Sequence, residues 1–225
     1  MSFIDKILSF FGIKPNPAPE TDLLQKIREQ RANAFPKVSD WVIDPFHSSI
    51  KFRVMHMGIA EVVGSFREFE IGFKGTSPNF LDMKVNANIP VASIQTDMPA
   101  RDGHLKSPDF FDVEQFPKVH FESTNITWKP LRSFSIQGNL TIKNKTKPVV
   151  FEGKIINFQP KDMMGFPRIG FELATEINRM DYGLAWQLEL ESKDKVVEET
   201  VKIEIRSEIC TAEGMEALRN YLKLS

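Results

Sequence analysis

The stretch SFSIQGNLTIKNKTKPVVFEGKI, residues 133–155, decides the fold class. Phe134, Ile136, Gly138, Leu140 and Ile142 fall on one face of a period-two pattern, and after a turn Val149, Phe151, Gly153 and Ile155 repeat it. Working outward, the same period recurs in both directions. Upstream lie Ile50, Phe52, Val54 and His56, then Met83, Val85, Ala87 and Ile89, then Val119, Phe121 and Ser123. Downstream lie Phe171, Leu173, Thr175, Ile177 and Arg179, then Val197, Val201, Ile203, Ile205 and Ile209. Seven or eight strands with one apolar face each imply an antiparallel meander, which avoids exposed edges most simply by closing into a barrel. A β-bulge is expected near Gly64, inverting the inward set beyond it.

Other segments break the alternation. Residues 93–112, SIQTDMPARDGHLKSPDFFD, hold prolines, turn formers and clustered charges and read as a helical or looped insertion between strands. Residues 212–223 read as a C-terminal helix. At the other end, Phe3, Ile4, Ile7, Leu8 and Phe11 recur at helical spacing, followed by a proline-rich spacer over residues 14–20. The expected organisation is an N-terminal helical extension over 1–38, a β-barrel over 39–211 and a helix over 212–225.

Composition bounds the function. Lysine and arginine number 29 against 30 aspartates and glutamates, so the field that draws a protein to nucleic acid is missing. The single cysteine, Cys210, can form neither an internal disulfide nor a thiolate zinc site. Nineteen of the aromatic residues are Phe, against 2 Tyr and 3 Trp, which suits a large apolar interior better than an adaptable protein surface. No apolar run is long enough to span a bilayer, and Asp5 and Lys6 interrupt the first one, so no secretory signal is read and a cytoplasmic location is expected. Nucleotide-binding glycine motifs are absent, and the histidines at 47, 56, 104 and 120 lack the paired spacing of a zinc site. No cofactor is expected.

Several spaced motifs carry a resemblance. WVIDPFHSSIKFRVMHMG (41–58), VVGSFREFEIGF (62–73), SIQTDMPARDGHLKSPDFFDVEQFPKVHFESTNI (93–126), GNLTIKNKTKPVVFEG (138–153) and INRMDYGL (177–184) occur in the order of the YceI family of lipocalin-like, polyisoprenoid-binding proteins, which they resemble over roughly residues 40–209. The resemblance implies an all-β, extended, eight-stranded antiparallel lipocalin-like barrel. It also implies that the pore holds an isoprenoid, such as a quinone or a polyprenyl phosphate, or a similar long-chain lipid; the absence of a recognisable nucleophile, metal or cofactor motif favours a carrier over an enzyme. Many relatives are periplasmic, which keeps that location as an alternative. Asn144-Lys145 departs from the Gly-Val that relatives usually carry before Thr-Lys-Pro.

An eight-stranded barrel is either just filled by side chains or holds one small ligand. The candidate lining is Phe52, Val54, Phe121, Leu140, Ile142, Phe171 and Ile177, with His56 and Arg179 at strand ends, where a rim would be. Arg179 offers a fork for phosphate or carboxylate; structurally it would pair with Asp181 or Asp102. Arg101 and His104 sit in the insertion as headgroup contacts or gate, or alternatively Arg101 and Asp102 pin the insertion to the barrel. Asp44, His47 and Ser48 match a hydrolytic triad in composition only, since neighbours on a strand alternate in direction. The helix over residues 3–11 would lie on a membrane surface, pack on its own barrel or pair with a second copy. Enzymatic work on a lipid and a ligand-free interaction domain are the other two classes.

Overall fold

The computed structural model describes residues 40–75, 83–191 and 195–222. The N-terminal helix over 3–11, and the membrane or dimer contact expected of it, lie outside the described residues.

Period-two patterning produces the strands it should. In chain order they are β1 (Trp41–Ile43), β2 (Ser49–His56), β3 (Ala60–Phe66), β4 (Glu70–Lys74), β5 (Lys84–Pro90), β6 (Ile94–Gln95), β7 (Lys118–Trp128), β8 (Ser133–Ile142), β9 (Lys145–Gln159), β10 (Arg168–Asn178) and β11 (Val197–Thr211). Eight of them, all but β1, β4 and β6, run for seven residues or more. Helix α1 (Pro99–Lys106) starts on Pro99, whose missing N–H costs nothing in a first turn, and helix α2 (Ala212–Tyr221) is capped by Thr211 Oγ1, which accepts from Gly214 N at 3.0 Å.

All pairings are antiparallel, in the order β4-β5-β7-β8-β9-β10-β11-β2-β3-β6, with β1 added to β11. The sheet curls into a lipocalin-like half-barrel. The short β3–β6 ladder is carried one step past Phe66 and Ile94 by Arg67 N donating to Ser93 O at 3.1 Å. Strand β9 pairs with β8 over residues 145–154 and with β10 only from Glu152 onward. Pro148 therefore sits where only one neighbour needs a ladder, and its missing N–H is tolerated.

The expected bulge near Gly64 is not there: β2 and β3 stay in register through the pair Phe52 and Gly64. The irregularities fall instead at Ser123/Asn125, at Gly170/Phe171 and between Val197 and Val201. Gly64 has another purpose. A Cβ there would lie 2.1 Å from Cζ of Phe52, so the bare backbone is the seat on which that ring lies. Gly153 seats the Phe134 ring of β8 in the same way, with its Cβ position 2.8 Å from Cζ.

Outside the barrel, α2 lays Met215 and Leu218 on Cys210. Burial pushes the Cys210 thiol up to about 11, leaving it a packed, unreactive group.

Candidate functional site: an apolar lumen between two arginines

Inward side chains from opposite walls do not meet across the middle of the curl. They enclose a cavity of about 240 Å³, at the lower edge of the roughly 300–1,000 Å³ usual for ligand sites. Such a bore suits a single chain better than a bulky ring system. Phe52 and Val54 of β2, Phe121 of β7, Leu140 and Ile142 of β8, and Phe171 and Ile177 of β10 all line it. Alternation along each strand is what turns them there.

Arg179 also lines the lumen and is 2% exposed, but it faces neither Asp181 nor Asp102. Nε donates to Glu198 O at 2.9 Å; Nη1 donates to Leu184 O and to Trp186 O; Nη2 donates to Val197 O and to Gln187 Oε1 at 3.3 Å. Those five hydrogen bonds use every N–H of the guanidinium. Burial lowers its pKa from the ordinary arginine value, and the nearby Glu199 and Glu198 charges only partly offset this. Arg179 is thus a clamp on the returning loop, with no donor left to offer a headgroup.

The other ionisable candidates lie off the lumen. His56 ends β2 opposite Ala60 and Val197, and it does not line the lumen although Ile50, Phe52 and Val54 of the same row do. Arg101 gives Nε to Thr96 Oγ1 and Nη2 to Thr96 O, both at 2.7 Å, while Asp102 Oδ1 accepts from Thr96 N at 2.8 Å. These bonds pin the insertion. His104 Nε2 lies 3.0 Å from Asp109 Oδ2, and its ring stands edge-on to Phe110 and Trp186, each at 5.0 Å. It supports the lid rather than touching the lumen: Leu105, Phe110, Phe111 and Leu184 are what close that end.

Asp44, His47 and Ser48 occupy a turn after β1, not a strand, and no serine–histidine contact forms there. Asp44, fully buried, accepts from Phe46 N at 2.9 Å and pairs with His47 Nδ1 at 2.9 Å and Arg168 Nη1 at 2.7 Å. Ser48 Oγ instead accepts from Glu208 N at 3.1 Å. Arg168 also binds Asp162 at 2.6 Å and Glu208 at 2.5 Å. Burial would raise both Asp44 and Asp162, yet the hydrogen bonds they accept, from Arg168 and backbone N–H groups and, at Asp44, His47, hold each below the ordinary aspartate value. The carboxylates of Asp44 and Glu208 lie close enough to His47 to suggest a metal, but Arg168 already fills the space between them with positive charge. Arg168 and Arg179 thus bracket β10, one at each end.

Besides the lid residues, a polar lining residue escaped the sequence reading. Ser207 continues the row of Ile203, Ile205 and Ile209 on β11, lines the lumen and is 5% exposed.

Comparison with known proteins agrees with this architecture. A UPF0312 protein of Staphylococcus aureus (strain N315), SA2479, is 32% identical over 176 residues, covering 78% of this chain and all of that one. A UPF0312 protein of Serratia proteamaculans (strain 568) is 36% identical over 148 residues, 66% of this chain and 76% of its own. Among solved structures, Burkholderia cenocepacia BcnA superposes with a TM-score of 0.63 at 20% identity, over 74% of this chain and 98% of that one. A polyisoprenoid-binding domain from Saccharophagus degradans, implicated in plant cell wall breakdown, gives 0.57 at 11% identity over 77% and 99% of the two chains. The YceI-like domain matches residues 41–209, from the first strand of the curled sheet almost to the end of its last, and the chain belongs to that family.

Proposed function

We propose that the protein binds one long apolar chain, an isoprenoid or similar lipid, in the lumen, and holds it without transforming it. The observation that carries this reading is a continuous apolar cavity with seated phenylalanine rings along its wall. Each ~100 Å² of chain surface taken out of water there contributes about 2.5 kcal/mol, so affinity needs few polar contacts. The polyisoprenoid-binding Saccharophagus neighbour supports the same ligand class. Holding rather than chemistry is favoured because the ionisable candidates are occupied elsewhere: Arg179 by carbonyls, Arg101 by Thr96, His104 by Asp109.

Mass spectrometry of natively purified protein, before and after extraction with organic solvent, tests this directly. A lipid released in about equimolar amount is the expected result. Protein that carries none and takes up no added quinone or polyprenol would end the carrier reading.

The bore itself can be read with Gly64→Ala. The new methyl displaces the Phe52 ring from its seat, and the open side is the lumen. Lipid occupancy should fall while overpacking costs about 1–3 kcal/mol in a thermal melt. Unchanged occupancy would show that the ring does not border the ligand.

A further inference from the structure

Charge inside the lumen is the feature that separates the two kinds of isoprenoid the family resemblance allows. Apart from the indole of Trp128, the polar side chains along the lining are Lys51, Arg179 and Ser207. Lys51 alternates with inward Ile50 and Phe52 and is exposed on the outer face. The donors of Arg179 are all spent on protein oxygens. Among the described residues, a phosphate drawn into this space would meet no unspent cation, and burying it unpaired is among the costliest transfers a protein interior can make.

Ser207 is different. Its side chain is inward and 95% removed from solvent, and among the described residues none hydrogen-bonds its Oγ. A hydroxyl facing an apolar lumen with no protein partner is placed to exchange a hydrogen bond with a neutral ligand oxygen.

We infer that the lumen selects an uncharged lipid, bearing a hydroxyl or carbonyl oxygen that hydrogen-bonds Ser207, over its phosphorylated counterpart. The inference rests on the carrier reading and narrows it. The full-length protein is offered hexaprenol, hexaprenyl monophosphate and squalene, the hydrocarbon of the same chain length, from detergent micelles. Wild-type protein should prefer the alcohol over the monophosphate by at least about tenfold. Ser207→Ala should weaken the alcohol about fivefold and leave squalene unchanged, which also shows that the lumen is intact. Equal binding of alcohol and monophosphate overturns the inference, and so does a variant that loses alcohol and hydrocarbon alike. Should neither hexaprenol nor squalene bind the wild type, the carrier reading itself falls, and this inference with it.

Discussion

Arg168→Met is expected to lower folding stability by about 3–5 kcal/mol at neutral pH, because it strands a buried carboxylate. Asp44 is fully buried, and Arg168 is its link to Asp162 and Glu208. Methionine fills much of the same volume, so the loss would report charge pairing and not packing. The pH dependence has a definite sign. Asp44 and Asp162 titrate below their ordinary value in the folded protein, so their contribution is complete above the unfolded pKa, about 3.9, and is lost as pH falls through the folded values. Wild-type stability should therefore decline below about pH 4. The variant has less of that contribution to lose, so the gap between the two proteins should narrow on acidification. Urea melts of both at neutral and acid pH measure it; a gap that stays constant would mean that the network is not what Arg168 supports.

Arg179→Leu is expected to cost roughly 3–5 kcal/mol by a different route, since each stranded carbonyl loses about 1–3 kcal/mol unless water reaches it. The carbonyls of Leu184, Trp186, Val197 and Glu198 are gathered by one planar guanidinium. Lysine presents a single point of charge and cannot span them, so Arg179→Lys should recover less than half of the loss. Hydrogen exchange tells this variant from the first. Amides over residues 184–191 should exchange faster while the β8–β9 ladder stays protected. Faster exchange spread evenly over the whole sheet would refute a local clamp.

Sequence reading reached the wall of the lumen more readily than its ends. Phe52, Phe121, Leu140 and Ile177 were legible because alternation is a local property of a strand and survives whatever the neighbours do. Arg179 was legible as an inward residue but not in its partners. Its acceptors lie on the stretch over residues 184–187 and on the first two residues of β11, and no local spacing encodes their return to it. His56 fits the alternation of β2, yet it stands at the strand's end and does not line the lumen, which local spacing does not reveal. Phe110 and Phe111 belong to an aperiodic segment, so nothing in their spacing announces that they fold over the barrel end. Ser207 hid for the opposite reason: a hydroxyl between isoleucines interrupts an apolar row that the eye completes without it. Gly64 looked like a bulge because glycine in a strand usually loosens pairing, whereas here its missing side chain is the space that a ring on the next strand occupies.

The unpaired margins of the sheet bear on how the protein behaves in a crowded solution. An edge strand is a template on which another chain can grow a β-ladder, and long flat edges lead to aggregates. Here one margin is β4, five residues framed by Glu70 and Lys74, and the other is β6, only two residues long. The third opening, where β9 runs on without β10, carries Lys145, Lys147 and Pro148. An incoming strand would have to bury two ammonium groups there and do without one N–H. Among the described residues, these margins therefore offer an incoming β-strand little to extend.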